Sequence, residues 1–175
     1  MDGLGKKYVE LGLADKDPNI RITAIRLARQ LAMPVNEFVS PLVNDSSSAV
    51  RRELAIALRG DKSPEMPALW AQLAKKHDGQ DRWYLEALGI GAEKRWDECL
   101  SAWKGLVGEQ WQTESGRQIV WRSRAADTSK MLVDLLSLEN VSEDESARYL
   151  RALDYQEAGK REAALKELLG DAGGD

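Results

Sequence analysis

The segment "LADKDPNIRITAIRLARQLA", Leu13–Ala32, returns thirty residues later in outline as "VNDSSSAVRRELAIALRG". Asp15 corresponds to Asp45, Asp17 to Ser47, Ile20 to Val50, Arg21 to Arg51 and Ala24 to Leu54. A turn followed by an amphipathic helix, written twice at one spacing, leaves few folds open. One such unit cannot bury its apolar face alone, and stacked copies bury it for one another.

Asp17 and Pro18 suit a helix start, because Asp accepts from free backbone N–H groups and Pro presets φ. Ile20, Ala24, Leu27, Ala28 and Leu31 then share one predicted helix face. Ile22 and Ile25 add apolar surface on another side, the pattern of a helix sandwiched between neighbours. Pro34 ends this helix, and Val35–Val43 reads as its shorter partner, interrupted near Pro41. The second pair is the helix from Asp45 to Gly60 with "PEMPALWAQLAKKH". "QDRWYLEALGIGA" and "KRWDECLSAWKGLVG" make a third pair, in which Trp96, Cys99, Leu100, Trp103, Leu106 and Val107 share a face. "ESGRQIVWRSRAAD" with "SKMLVDLLSLE" makes a fourth. "SEDESARYLRALDYQEAG" with "KREAALKELLGD" makes a fifth, opened by a Ser142–Glu145 capping box.

The expected fold is therefore all-α: a right-handed α-α superhelix of about five helix pairs, in one helical-repeat domain over residues 1–175. Leu4–Leu13 reads as the second helix of a truncated earlier repeat. Both ends, "MDGLGKKYVELGL" and "GDAGGD", read as cuts around a domain excised from a larger protein.

At 43% hydrophobic and 31% charged residues, the composition is that of a folded chain and not a disordered one. A net charge of -4 argues against nucleic acid as the main partner. Cys99 is the only cysteine, which rules out an internal disulfide or a CxxC motif. No stretch is long and apolar enough for membrane insertion, and the N-terminus lacks the apolar run of a signal peptide.

The turn-plus-Arg arrangement of Asp15–Arg21 and Asp45–Arg51 resembles a HEAT repeat. The resemblance implies that these four residues form a structural ladder tying one repeat to the next. It is good in the first two pairs and poor in the last three. A narrower resemblance lies in "VRRELAIALRG", "DRWYLEALGIGAEKRWDECLSAW" and "IVWRSRA". These phrases are similar to the HEAT-like middle region of the bacterial PVC-type haem-binding CxxCH proteins, over about Leu11–Tyr155. That resemblance implies an exported or periplasmic parent with a membrane-bound-dehydrogenase-type propeller before this region and a c-type haem domain after it. No CxxCH occurs here, so no cofactor, haem or dehydrogenase chemistry transfers to any residue of this chain.

Candidate chemistry is sparse, and no catalytic, cofactor-binding or metal residue is assigned. His77, the single histidine, follows two lysines and reads as an exposed loop residue without zinc-ligand companions. Cys99 reads as core. "SEDES" lacks calcium-loop spacing and suits a helix N-terminus. Trp70, Trp96 and Trp103 sit at core spacing. Trp83 and Trp121 each adjoin an arginine, so Arg82, Trp83, Trp121 and Arg122 are the candidate partner contacts; otherwise these Arg–Trp neighbours are stacked structural pairs. Arg21, Arg51 and Arg82 recur at offsets of 30 and 31, with Arg122 a further candidate for the series. Read as a ladder, they pair with turn carboxylates; read as a stripe, they would bind phosphate. The functional expectation is a non-catalytic scaffold for protein or interdomain contacts. The alternative is a HEAT-like nucleic-acid enzyme of the alkylpurine DNA glycosylase type, which the interleaved acids disfavour.

Overall fold

The computed structural model describes residues 3–171. Among these the chain is all-helical, with eleven α-helices, one 3-10 helix and no strand. They are α1 (Gly3–Leu13), α2 (Pro18–Gln30), α3 (Val35–Leu42), α4 (Ser48–Ala57), α5 (Met66–Lys75) and α6 (Arg82–Gly91). After α7 (Trp96–Val107) comes the 3-10 turn Gly108–Gln112, then α8 (Glu114–Arg122), α9 (Thr128–Leu136), α10 (Glu143–Leu153) and α11 (Ala158–Asp171).

Local chemistry sets the helix starts. The side chains of Asp17, Ser47, Asp81, Thr113 and Ser142 each accept from a backbone N–H of the first turn of α2, α4, α6, α8 and α10. The Ser142–Glu145 capping box is complete. Pro18 and Pro67 lie in the first turns of α2 and α5, where no intrahelical donor is lost. Pro41 sits at the far end of α3, which closes one residue later.

Alternate helices pack on one another. The helix α2 lies against α4, α4 against α6, α6 against α8, and α8 against α10. Alongside this row, α3 packs on α5 and α5 on α7, while α9 packs on α11. In the loop before α9, the Ala126 N–H donates to Asp97 of α7 at 2.5 Å. The 3-10 turn packs on both α7 and α8, an element that the repeat pattern does not contain. The helix α1 packs on α2, and its Lys6 reaches Glu37 of α3 at 3.0 Å.

The core runs continuously from Val9 to Ala164. Its centre is aromatic. Trp70 and Trp96 meet edge to face at 5.6 Å between centroids, and Trp70 donates its indole N–H to the Leu88 carbonyl at 2.9 Å. Tyr84, buried on α6, donates its hydroxyl to the Leu73 carbonyl at 2.8 Å, and burial pushes its phenol up to about 12. Two expected core positions are instead on the surface: Ile20 is 45% and Leu106 43% exposed. The buried stripe of α2 is Arg21, Ala24, Ile25 and Ala28, one residue round from the expected face. An arginine holds the position where a hydrophobe would otherwise begin the stripe.

Backbone geometry yields a pair of opposed predictions. Ala32 follows α2 with φ of 51°, and Met33 N–H to Ala28 O at 3.0 Å and Ala32 N–H to Arg29 O at 3.0 Å complete a Schellman ending. The left-handed region disfavours an L side chain, so Ala32→Gly should stabilise the fold by about 0.5–1 kcal/mol. Gly91 packs α6 against α4, and a Cβ there would strike the Ala55 carbonyl oxygen. Gly91→Ala should destabilise by about 1–3 kcal/mol. Thermal unfolding of both variants reads the two signs directly.

Candidate functional site

The residues singled out by the repeat meet at the junction of its first two copies. Arg21 leaves α2 four residues after the capping Asp17. One nitrogen donates back to the carbonyls of Asp15 and Lys16 at 2.9 and 3.0 Å. The other two donate to both Asp45 oxygens at 2.7 and 2.8 Å, a bidentate fork into the next repeat. Asp45 also accepts from the Ser47 N–H at 2.8 Å. Burial works to raise the Asp45 carboxyl, but the hydrogen bonds from Arg21 and Ser47 outweigh it and hold the group below the usual carboxylate range. Beside this fork, Glu53 of α4 receives Arg26 at 2.9 Å and Arg29 at 3.4 Å.

Arg51 repeats the inward half of the rung, donating to the carbonyls of Asp45 and Ser46 at 2.6 and 3.1 Å. It has no carboxylate ahead of it. Asp45 lies two residues before its helix cap; two residues before Asp81, the third cap, stands Gly79. Arg51 Nε is left buried without a partner, and its guanidinium lies 5.7 Å from the centroid of the Tyr84 ring. Asp15 likewise turns its side chain to its own loop, accepting from the Asp17 N–H at 2.8 Å.

The series does not continue through Arg82 or Arg122. Arg82 opens α6, with its side chain 78% exposed and only Glu86 nearby at 3.8 Å. The position that follows the cap by four residues is Leu85, so an offset of 31 is not a register. The cap-relative position of Arg21 is taken instead by Arg117, four residues after the Thr113 cap of α8. It donates to the Gln112 carbonyl at 2.8 Å and to Asn140 at 3.4 Å, with Glu145 at 3.7 Å. Asn140 stands two residues before the Ser142 cap, as Asp45 stands before Ser47. The signal that finds Arg117 is distance from the capping residue, because insertions between repeats shift any count made along the whole chain.

The four candidate contacts divide. Trp83 is 71% exposed and stands beside exposed Arg82 at the start of α6. Arg122 spans α8 to α6, bound to Glu86 at 2.9 Å and lying against Gly89, where a Cβ would strike the guanidinium. It is a strut. Trp121 is half-buried, with Arg148 of α10 stacked at 4.1 Å from its ring.

His77 overturns the expectation of an exposed loop residue. It is 5% exposed, stacked on Tyr84 at 6.0 Å, and 2.9 Å from Gln118 of α8. Because Gln118 donates its amide nitrogen to the Gly79 carbonyl at 3.1 Å, its oxygen faces His77, and Nε2 of the imidazole carries the proton. Nδ1 is buried without a partner. The ring lies inward between Tyr84 and Gln118, contacts that the flanking lysines do not reveal. Cys99 is fully buried as expected, 3.7 Å from Met66, and burial pushes its thiol up to about 12. Among the described residues no group of three or more His, Cys, Asp or Glu is placed to hold a metal ion.

These contacts set two expectations. Asp45→Ala removes the partner of a nearly buried arginine and should cost about 3 kcal/mol in chemical denaturation. Because the folded Asp45 is depressed, its contribution is complete above the unfolded carboxyl value of about 4 and is lost as pH falls through the folded value. Asp45→Asn should accordingly flatten the loss of stability on acidification. Native Cys99 should react with a thiol reagent only at the rate of global or local opening.

Compared with known proteins, the chain matches no family model, no curated protein and no solved structure.

Proposed function

We propose that this chain is a HEAT-like scaffold, a right-handed α-α superhelix forming a single helical-repeat domain that docks a protein partner or neighbouring domains of a larger parent. The observation that carries this reading is the recurring rung. Arg21 reaches Asp45, and Arg117 reaches Asn140, from the same cap-relative position into the same position of the next repeat. Polar ties in one cap-relative register at two junctions suit a spacer whose face must stay in place. The packing of alternate helices on one another supports the same reading.

Exposed Trp83 beside Arg82 is the best docking point of the four candidates, since Trp and Arg dominate interface energetics. The similarity to the PVC-type proteins extends this proposal to an exported parent carrying its c-type haem elsewhere, with this segment setting the distance between domains. The alkylpurine glycosylase reading is weaker. Arg21 and Arg122 have their guanidinium groups committed to Asp45 and Glu86, and Arg51 is turned onto loop carbonyls, so none of them lines a free phosphate track.

The test uses the chain and the neighbouring domains of its parent, titrated by calorimetry. Arg82→Ala with Trp83→Ala should weaken association by about 2 kcal/mol or more and change thermal stability by less than about 0.5 kcal/mol. Arg122→Ala should do the reverse, lowering stability and leaving association alone. Full association by the double variant removes this surface from the proposal, and base release from alkylated DNA would replace the scaffold with the glycosylase reading.

A further inference from the structure

We propose that the cleft between α8 and α10 binds an acidic peptide segment of a protein partner, with Arg124, Arg148 and Arg151 receiving its carboxylates. The cleft has a volume of about 300 Å³, and its lining includes these three arginines with Trp121, Tyr155 and Asp144. That is the lower end of the range for a ligand pocket and suits a few residues of extended chain.

The first argument is the distribution of arginine partners. Ten of the chain's other arginines have a described carboxylate within 4.0 Å. Four arginines do not, and three of the four share this cleft; the fourth, Arg51, is bound to loop carbonyls. In a chain of net charge -4, with 29 acidic residues, such a concentration of unneutralised arginine is a local choice. Three cations face one carboxylate, Asp144.

The second argument is preorganisation. Arg148 is stacked on Trp121 at 4.1 Å, and Arg124 lies 5.0 Å from the centroid of the Tyr155 ring. Arg124 is anchored further by donating one nitrogen to the carbonyls of Arg122 and Ser123 at 3.2 and 2.6 Å. A guanidinium held by its face keeps its N–H edge free, and that edge fits a carboxylate as a fork. Partial burial and the neighbouring Arg122 both disfavour the charge on Arg124, so an incoming anion would relieve an existing cost.

The third argument selects the ligand class. The first turn of α10 carries Glu143, Asp144 and Glu145, of which Asp144 lines the cleft with the three arginines. A long phosphate backbone running along α10 would meet these charges, whereas a short peptide can place one or two carboxylates on the arginines. Trp121 and Tyr155 then offer aromatic surface to its intervening side chains. The proposal rests on the docking reading only in making the ligand part of a protein, and its surface is distinct from Arg82–Trp83.

The experiment is fluorescence polarisation of a fluorescein-labelled hexaglutamate peptide against the whole chain, at low and high salt. A single-stranded oligonucleotide of equal charge serves as competitor. Binding should weaken with salt, and Arg148→Gln and Arg151→Gln should each weaken it about tenfold, with thermal midpoints little changed because both side chains are exposed and neither is paired with a described carboxylate. Asp144→Asn should tighten binding a few-fold. The Arg82→Ala, Trp83→Ala double variant should bind the peptide as the parent chain does, which separates failure of this site from failure of the docking point on α6. Absence of measurable peptide binding, or equal affinity in the arginine variants, overturns the site. Tighter binding of the oligonucleotide through the same arginines overturns the acidic-peptide assignment.

Discussion

The Arg21 guanidinium is the point on which the first half of the structure turns. It holds its own loop through two carbonyls and the next loop through both oxygens of Asp45. Either half alone would leave a cation nearly out of water with unfilled donors. Together they fix the distance and rotation between α2 and α4, and Ala24, Ile25 and Ala28 pack within that spacing. The burial of Arg21 also explains why Ile20 faces solvent: the helix has turned to put its charge, not its isoleucine, at the junction.

Where the acid of the rung is missing, other chemistry fills the gap. Arg51 turns onto the Tyr84 ring, and the third repeat is held by packing: Gly91 brings α6 close to α4, and Trp70 bonds the Leu88 carbonyl from α5. Buried His77 with Gln118 then ties the end of α5 to α8. The rung returns at Arg117, after the 3-10 turn. Polar ties and close packing thus both cross these helix junctions, in different proportions from one to the next.

The same economy of charge bears on the proposed binding roles. Arginines that cross junctions are spent on carboxylates inside the fold, as Arg122 is on Glu86. The arginines proposed for a partner are not spent in this way: Arg82 with exposed Trp83 at the start of α6, and the trio facing the cleft between α8 and α10, which has no described carboxylate within ion-pair distance. Adjacency to tryptophan did not separate these groups. Trp121–Arg122 and Arg82–Trp83 look alike in the chain, yet one arginine is a strut and the other is solvated.

Local pattern determined what local physics governs. Apolar spacing and the caps Asp17, Ser47 and Ser142 determined where helices begin, how they alternate with turns, and that Cys99 and the tryptophans of α5 and α7 lie inside. The repeat singled out Asp15–Arg21 and Asp45–Arg51, but only the packing of α2 on α4 joined Arg21 to Asp45. Tertiary structure decided what depends on a neighbour far along the chain. His77 is buried because Gln118, 41 residues away, comes to meet it. Arg117 is a rung because Asn140 lies ahead of it, and Arg82 is not, because its place in the cap register belongs to Leu85. The cleft arginines converge only once α8 and α10 are side by side. Helix periodicity is written by residues a few positions apart, whereas charge pairing is settled by which turns the packing brings together.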